Sequence, residues 1–215
     1  AVIYIINKIH NTGKFFGGYE NNSFLLGMIW LVFAIEMFLR LFPSKTESMG
    51  CEKQFAKNYR PVSVGNVELQ PIKRTAAVAL AWVLLNAILG VLYFTGIIDR
   101  GILFLTSLVY AVCDMVCILF FCPFQTWFMK NKCCTTCRIY NWDYAMIFTP
   151  LIFIPGIYTW SILALAIILL LVWEVRLHRH PERFSESTNG NLACVNCQEK
   201  LCHHKKQLQG FLKKH

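Results

Sequence analysis

Charged residues are scarce in this chain, and acidic residues are the scarcest. Only 15% of the 215 residues are charged, against about a quarter in an ordinary soluble domain. Asp and Glu number 12 whereas Lys and Arg number 21, so the net charge is +9, and 56% of the residues are hydrophobic. A chain this apolar is neither a typical soluble enzyme nor a disordered basic tail.

The familiar motifs of hydrolases, kinases and nucleotide-binding proteins are also missing. The chain has no Gly-rich phosphate loop, no G-x-S-x-G and no H-E-x-x-H. The sequence therefore leaves open whether the protein is an enzyme. If it is one, its cysteines favour a thiol- or metal-dependent oxidoreductase.

Long apolar stretches dominate what the chain does contain. A membrane-spanning helix needs about 20 mostly apolar residues, whereas a buried helix of a soluble protein is shorter and carries a polar stripe. Four stretches are close to this length or longer, namely 24–42, 76–98, 101–121 and 144–175. The sequence thus predicts an all-α polytopic membrane protein, with a bundle of four to five membrane helices.

The fourth stretch is too long for one comfortable crossing, and it contains the helix breakers Pro150 and Pro155-Gly156. It either crosses once or returns to the side from which it came. Lys and Arg collect in cytoplasmic loops. A single crossing divides them 9 to 11 between the two faces, whereas a return divides them 17 to 3. We therefore favour the return, with 139–154 as a short or re-entrant segment.

This topology divides the chain into three parts. Residues 1–23 form an interfacial segment, 24–175 form the transmembrane bundle, and 176–215 form a basic cytoplasmic tail rich in Cys and His. The N-terminus is predicted outside and the C-terminus in the cytoplasm. The membrane helices are predicted at 24–43, 76–98, 101–122, 139–154 and 156–175, and the cytoplasmic loops at 44–75 and 123–138.

Six of the ten cysteines lie in two polar segments that this topology brings to the cytoplasmic face. A C-x-x-C turn directs two thiolates at one point, which suits tetrahedral zinc. We predict one zinc site that joins the loop 123–143 to the tail. Its ligands would be Cys134, Cys137, Cys194 and Cys197, with Cys133, Cys202, His203 and His204 as spare or exchangeable ligands.

Other cofactors fit the same residues. The cysteines would also serve iron or an iron–sulfur cluster, or they would form a metal-free pair of thiols that cycles with a disulfide. The tail alone is a further alternative, with His203 or His204 completing a site that begins at Cys194. A zinc that only holds the tail against the membrane bundle would contribute folding free energy and no chemistry.

Five polar or thiol side chains are predicted inside the membrane, where ionisable groups usually face the interior of a bundle. Glu36 and Asp114 each lie about 18–20 Å into helices that start from the same face, and Asn86 falls at a similar depth. These three residues, with Cys113 and Cys117, form a candidate intramembrane cluster. A simpler alternative pairs Glu36 with Arg40 and treats the cysteines as small apolar residues.

The expected partners follow from the same features. The apolar helices contact the lipid bilayer, and the basic tail contacts anionic lipid at the cytoplasmic face. No nucleic-acid-binding fold accompanies the basic residues, so nucleic acid is not expected, and the sequence leaves a protein partner open. Three functions remain open: a structural or interaction subunit, a membrane redox protein that uses the C-x-x-C pairs, and metal-ion handling through the intramembrane cluster.

Overall fold

The computed structural model describes residues 2–9, 23–43, 52–62, 66–69, 71–120, 122–131 and 136–193. Within these residues the chain is helical and has no β-strand, only an isolated bridge between Pro61 and Asn189. The prediction of an all-α fold is therefore confirmed for this part of the chain.

Six α-helices follow one another along the described residues. They are α1 (Val2–Ile9), α2 (Ser23–Leu39), α3 (Ile72–Phe94), α4 (Arg100–Leu119), α5 (Asp143–Phe148) and α6 (Ile157–Arg179). Shorter helical turns lie between them, as 3-10 helices at Ala56–Asn58, Arg138–Trp142, Thr149–Phe153 and Pro181–Arg183 and a π-helix at Phe124–Met129.

Three of the described helices, α3, α4 and α6, are long and apolar enough to span a membrane. Helix α2 is apolar but shorter, at 17 residues, or about 25 Å. Large apolar side chains cover the exposed faces, such as Val83 and Ile88 on α3. This surface is compatible with contact to a lipid bilayer and with an integral membrane protein.

The connection between α3 and α4 is a short turn with specific backbone requirements. Gly96 has a φ of 76°, a conformation that glycine adopts readily and other residues rarely do. Asp99 caps α4, because its carboxylate accepts a hydrogen bond from the backbone N–H of Ile102 at 3.0 Å. The same carboxylate accepts a hydrogen bond from the hydroxyl of Tyr4 at 2.7 Å, which ties α1 to this end of the bundle.

The stretch 138–153 is helical almost throughout and lies antiparallel to α6. At its first end, Arg138 and Trp142 donate hydrogen bonds to Glu174 of α6 at 3.0 and 2.8 Å. At its far end, Phe153 packs on Gly90 of α3. Gly156 then precedes α6, which runs back along the stretch. The end of α6 and the start of the 138–153 stretch therefore lie at the same end of the bundle.

A small folded unit covers this end. It consists of 52–62, 66–69 and 181–193, and we call it the cap. Asn189 is completely buried in it. The Asn189 amide donates to the carbonyl oxygens of Lys53 at 3.0 Å and Arg183 at 2.9 Å, and its side-chain oxygen accepts from the N–H of Asn191 at 3.1 Å. The start of the predicted tail is therefore the last turn of α6, and the following residues belong to the cap.

The main hydrophobic core is centred on α6, which packs against α2, α5 and the turn Thr149–Phe153. The buried side chains that α6 contributes to this core recur about once per helical turn, so they lie along one face of the helix. The cap contributes Phe55 and α4 contributes Leu103. The residues from α6 are Ile162, Leu163, Ala166, Leu169 and Trp173.

The contact between Gly90 and Phe153 can be tested by adding one methyl group. A Cβ at Gly90 would lie 2.6 Å from the Phe153 ring, whereas a Cβ at Gly27 would have its nearest contact at 3.8 Å. We expect Gly90→Ala to lower the free energy of unfolding by about 1–3 kcal/mol through overpacking. Gly27→Ala, the matched control in α2, should be neutral or slightly stabilising because alanine favours helix.

Thermal unfolding in detergent micelles measures both variants. Adding Phe153→Leu to Gly90→Ala should recover part of the lost stability, because the smaller side chain makes room for the methyl group. Equal stability of Gly90→Ala and the unaltered protein would contradict the close packing of the 138–153 stretch on α3.

Candidate functional site

A cavity of about 130 Å³ lies between α3, α4, the π-helix and the stretch 137–147. All four cysteines among the described residues line it, and we call it the thiol cavity. Two carboxylates, Asp114 and Asp143, also line it, while aromatic and aliphatic side chains supply most of the remaining wall. The cysteines are Cys113, Cys117, Cys122 and Cys137.

The end of α4 positions three of these thiols. Cys113 and Cys117 are one turn apart on α4, so they lie on the same face. The helix ends at Leu119 and the chain turns before Pro123. This turn brings Cys122 to the same cavity as Cys117, where the two thiols are close enough to interact electrostatically.

Cys122 has a second contact that affects its chemistry. The backbone N–H of Gln125 points at the Cys122 sulfur, with a nitrogen-to-sulfur distance of 3.4 Å. An N–H donor directed at sulfur stabilises negative charge there, and the thiolate is the nucleophilic form of cysteine. Cys122 is therefore better suited to nucleophilic attack than a thiol without such a donor.

Cys137 lines the cavity from a different segment of the chain. It is 6% exposed and packs in an apolar cluster with Val78, Met129 and Ile139. Cys137 immediately precedes the 3-10 helix Arg138–Trp142, whose position is held by the hydrogen bonds to Glu174. The thiol of Cys137 is thus placed by the antiparallel packing of the 138–153 stretch on α6.

A buried ion pair supports the carboxylate side of the cavity. The Arg40 guanidinium lies 2.5 Å from the Asp143 carboxylate, and the two side chains are only 11% and 9% exposed. The same guanidinium lies over the ring of Tyr144, 4.4 Å from its centre. The Tyr144 hydroxyl in turn donates a hydrogen bond to Glu36 at 2.8 Å. Asp114 interacts electrostatically with both Arg40 and Asp143.

The predicted intramembrane cluster is brought together only in part. Cys113, Asp114 and Cys117 line the cavity. Glu36 reaches the neighbourhood of the cavity through Tyr144. Asn86 lies elsewhere on α3, where its amide donates to the carbonyl oxygen of Trp82 at 2.9 Å.

The register of α3 against α4 explains the separate position of Asn86. The rings of Trp82 and Tyr110 are in contact, with centres 4.8 Å apart. Because the two helices run in opposite directions, Asn86 lies about one turn to one side of this contact and Asp114 about one turn to the other. Helix α3 begins at Ile72, one turn before the predicted start at 76, which shifts Asn86 away from the level of Asp114.

Most of the predicted zinc ligands fall outside the described residues. Within the described ranges, no group of three or more His, Cys, Asp or Glu side chains is arranged to hold a metal ion. Cys137 is the one predicted ligand inside these ranges. Those outside them are Cys133, Cys134, Cys194, Cys197, Cys202, His203 and His204.

Sequence reasoning did not assign Cys122, Asp143 or Arg40 to a site. A sequence signal exists for Cys122: Pro123 predicts that the helix ends at residue 122, which is five residues after Cys117. No comparable signal links Arg40 to Asp143, since 103 positions separate them along the chain.

Removing one partner of the ion pair should destabilise the protein, whereas replacing both partners with apolar side chains should have a much smaller effect. We expect Arg40→Met to lower the free energy of unfolding by about 3–5 kcal/mol, because it leaves the Asp143 carboxylate buried without its cation. The double variant Arg40→Met/Asp143→Leu should recover most of that loss. Arg179→Met, at the exposed end of α6, should have little effect.

A double-mutant cycle by thermal or denaturant unfolding in micelles measures the coupling. Additive effects of the two single substitutions would contradict a direct ion pair at the cavity.

Comparison with known proteins finds no protein-family model, curated protein or solved structure that matches the chain.

Proposed function

We propose that this protein is an integral membrane protein that carries out thiol–disulfide exchange, with Cys117 and Cys122 as the reacting pair. One observation carries the proposal: the four cysteines of the described residues line one cavity, and two of them, Cys117 and Cys122, interact with each other there. Buried cysteines often serve only as small apolar residues. A packing role does not require four of them to converge on one cavity.

The proposed protein crosses the membrane five times, through α2, α3, α4, the 138–153 stretch and α6. The cap end would face the cytoplasm and contact anionic lipid. Two observations support this topology. The described parts of the segments rich in Lys and Arg meet at the cap end. There the Arg74 guanidinium donates a hydrogen bond to the backbone carbonyl oxygen of Met129, and the cap contacts both of these segments. The 138–153 stretch also lies antiparallel to α6.

The chemistry begins with the Cys122 thiolate. It attacks one sulfur of an acceptor disulfide, forms a mixed disulfide and releases the other sulfur of the acceptor as a thiol. Cys117 then attacks the Cys122 sulfur and releases the second acceptor thiol. The pair loses two electrons and two protons and becomes a disulfide, while the acceptor gains the same number and becomes two thiols. The acceptor is therefore a disulfide compound that reaches the cap end.

Two features of the cavity support the pairing. Asp114 lies one turn before Cys117 on α4 and lines the same cavity, so its carboxylate is available to take up the Cys117 proton. The cavity wall is mostly apolar, and Cys117 and Cys122 are partly exposed, so an acceptor can reach them.

Peptide mapping of oxidised and reduced protein tests the proposal. Protein in detergent is equilibrated with defined ratios of reduced and oxidised glutathione, and remaining thiols are blocked before digestion. We expect a Cys117–Cys122 disulfide whose fraction follows a two-electron titration. Cys117→Ser and Cys122→Ser should each abolish it.

Cys113→Ser is the matched control, since Cys113 lies one turn away on the same helix but outside the reacting pair. It should retain the Cys117–Cys122 disulfide. Folded protein in which Cys117 and Cys122 remain reduced at every glutathione ratio would refute the proposed function.

A second candidate function is structural, with zinc joining the cysteine-rich loop to the tail. A polar pocket of about 250 Å³ at the cap favours it. Asn131 and Thr136, which flank Cys133 and Cys134 in the sequence, line this pocket together with Cys137. Phe184 and Ser185, from the segment that leads to the tail, line the same pocket. The ligands proposed are Cys134, Cys137, Cys194 and Cys197.

Metal analysis separates this candidate from the first. If zinc joins the two segments, purified protein should hold about one zinc per chain, and Cys134→Ser or Cys194→Ser should lose it. Cys117→Ser is the control and should keep the metal. Visible absorption would assign iron or an iron–sulfur cluster instead, and protein without metal would exclude the joining site.

A further inference from the structure

The polar pocket at the cap adjoins a largely apolar groove. The groove has a volume of about 1000 Å³ and lies between the start of α3 and the end of α6. Some of the same side chains line both spaces, so the pocket and the groove together have a polar end and an apolar end. The shared residues are Leu69, Pro71, Arg138 and Leu177.

Two arginines line the polar pocket, and hydrogen bonds hold both of them in place. Arg74 donates to the backbone carbonyl oxygen of Met129 at 3.1 Å, and Arg138 donates to the Glu174 carboxylate at 3.0 Å. Among the described residues, each of these bonds engages one terminal nitrogen of a guanidinium, a group with five N–H donors. Both arginines therefore retain donors for a phosphate.

Two carboxylates line the same pocket, those of Glu68 and Glu186. The backbone N–H of Glu68 donates to the hydroxyl of Ser185 at 3.0 Å. The nearby hydroxyl of Ser187 donates to the carbonyl oxygen of Asn66 at 2.6 Å, so two hydrogen bonds join the segments that carry these carboxylates. The pocket thus has fixed charges of both signs, and it complements a headgroup that contains a phosphate and an ammonium.

The groove offers an apolar surface of suitable length for an acyl chain. Among its lining residues, Ile72, Leu171 and Val175 are 72%, 55% and 48% exposed. From Leu171 to Arg179 the groove follows α6 for about 12 Å, close to the roughly 15 Å of hydrocarbon in one leaflet of a bilayer. Arg179 lies at the end of the groove nearest the cap, where a headgroup would lie.

We infer that the polar pocket and the groove bind one molecule of phosphatidylethanolamine. Arg74 and Arg138 bind its phosphate, Glu68 and Glu186 bind its ammonium, and one acyl chain lies in the groove. The inference rests on the proposed placement of the cap end at a membrane surface, and it does not depend on the thiol exchange. Basic pockets at the ends of membrane helices are known sites for lipid headgroups.

The lining of the pocket favours this headgroup over other common ones. Quaternary ammonium groups such as choline are bound by cages of several aromatic rings, whereas Phe184 is the one aromatic residue among the described residues that line the pocket. A glycerol headgroup brings no cation to the two carboxylates. A primary ammonium has three hydrogen-bond donors, which the carboxylates and hydroxyls of the pocket accept.

Lipid binding to the unaltered protein tests the inference. Delipidated protein in detergent micelles is titrated with phosphatidylethanolamine, phosphatidylcholine or phosphatidylglycerol that carry the same acyl chains. Native mass spectrometry counts the bound lipids, and thermal unfolding is followed in parallel. We expect one phosphatidylethanolamine per chain, bound about tenfold or more tightly than the other two lipids, and a Tm that rises with its concentration.

Substitutions in the pocket separate the two charged groups of the ligand. Glu68→Gln/Glu186→Gln should remove the preference for phosphatidylethanolamine over phosphatidylglycerol. Arg74→Gln should weaken the binding of all three lipids by about tenfold, because a charge-assisted hydrogen bond to phosphate is lost. Lys57→Gln is the matched control, since Lys57 is an exposed cation of the cap outside the lining of both spaces, and it should bind lipid as the unaltered protein does.

Two further measurements test the groove. Val175→Trp fills it from an exposed position and should weaken the binding of every phospholipid without lowering the Tm of lipid-free protein. Glycerophosphoethanolamine has the same headgroup without acyl chains, and at the same concentrations it should not bind.

The outcomes separate this inference from the proposed function. Equal affinity of the unaltered protein for the three lipids, or tighter binding of phosphatidylglycerol, would overturn the inference even if a pocket variant failed to fold. Binding of glycerophosphoethanolamine as tight as that of the lipid would also overturn it and assign the pocket to a soluble phosphoamine. The Cys117–Cys122 disulfide is measured independently, so its absence would refute the thiol exchange and leave the lipid site in place.

Discussion

Glu174 of α6 accepts hydrogen bonds from both Arg138 and Trp142, and this junction sets the register of the 138–153 stretch. A carboxylate that receives a guanidinium and an indole N–H holds two residues one helical turn apart, so the stretch can neither slide nor rotate freely on α6. Cys137 immediately precedes the junction and Asp143 immediately follows it. The junction therefore fixes the positions of Cys137 and Asp143 in the lining of the thiol cavity.

The cap depends on a comparable constraint around Asn189. A fully buried amide is costly unless its donors and acceptor are satisfied. The Asn189 amide donates to the carbonyl oxygens of Lys53 and Arg183, and its oxygen accepts from the N–H of Asn191. These groups come from the segment before α3 and the segment after α6. Residues more than 120 positions apart are thereby held at one end of the bundle, next to the loop that contains Cys137.

The main features of the fold could be predicted from the sequence because they depend on local properties. Apolar length and turn residues lie close together in sequence, and helices α2 and α4 begin within one residue of the predicted starts. The start of α3 was missed by one turn, because Lys73 and Arg74 interrupt the apolar pattern there although they belong to the helix. A basic pair at a helix end near a membrane interface is compatible with the helix.

The candidate site could be predicted only where its residues share a helix. Cys113, Asp114 and Cys117 follow from helical spacing alone, whereas the contact of Cys117 with Cys122 depends on the direction of the chain after Leu119. The pairing of Arg40 with Asp143 depends on how α2 packs beside α5. Contacts of this kind arise from tertiary packing, and no periodicity in the sequence encodes them.

The same packing bears on whether the cavity is built for a metal ion or for a disulfide. A structural zinc site needs about four donors that converge on one point. Here Asp143 is already engaged by Arg40 at 2.5 Å, so one cavity carboxylate is neutralised by a cation and is a poor metal ligand. Cys117 and Cys122 line the same cavity and interact with each other there. An arrangement that engages a carboxylate with a cation and places two thiols at one cavity is the arrangement that the proposed exchange between Cys117 and Cys122 requires.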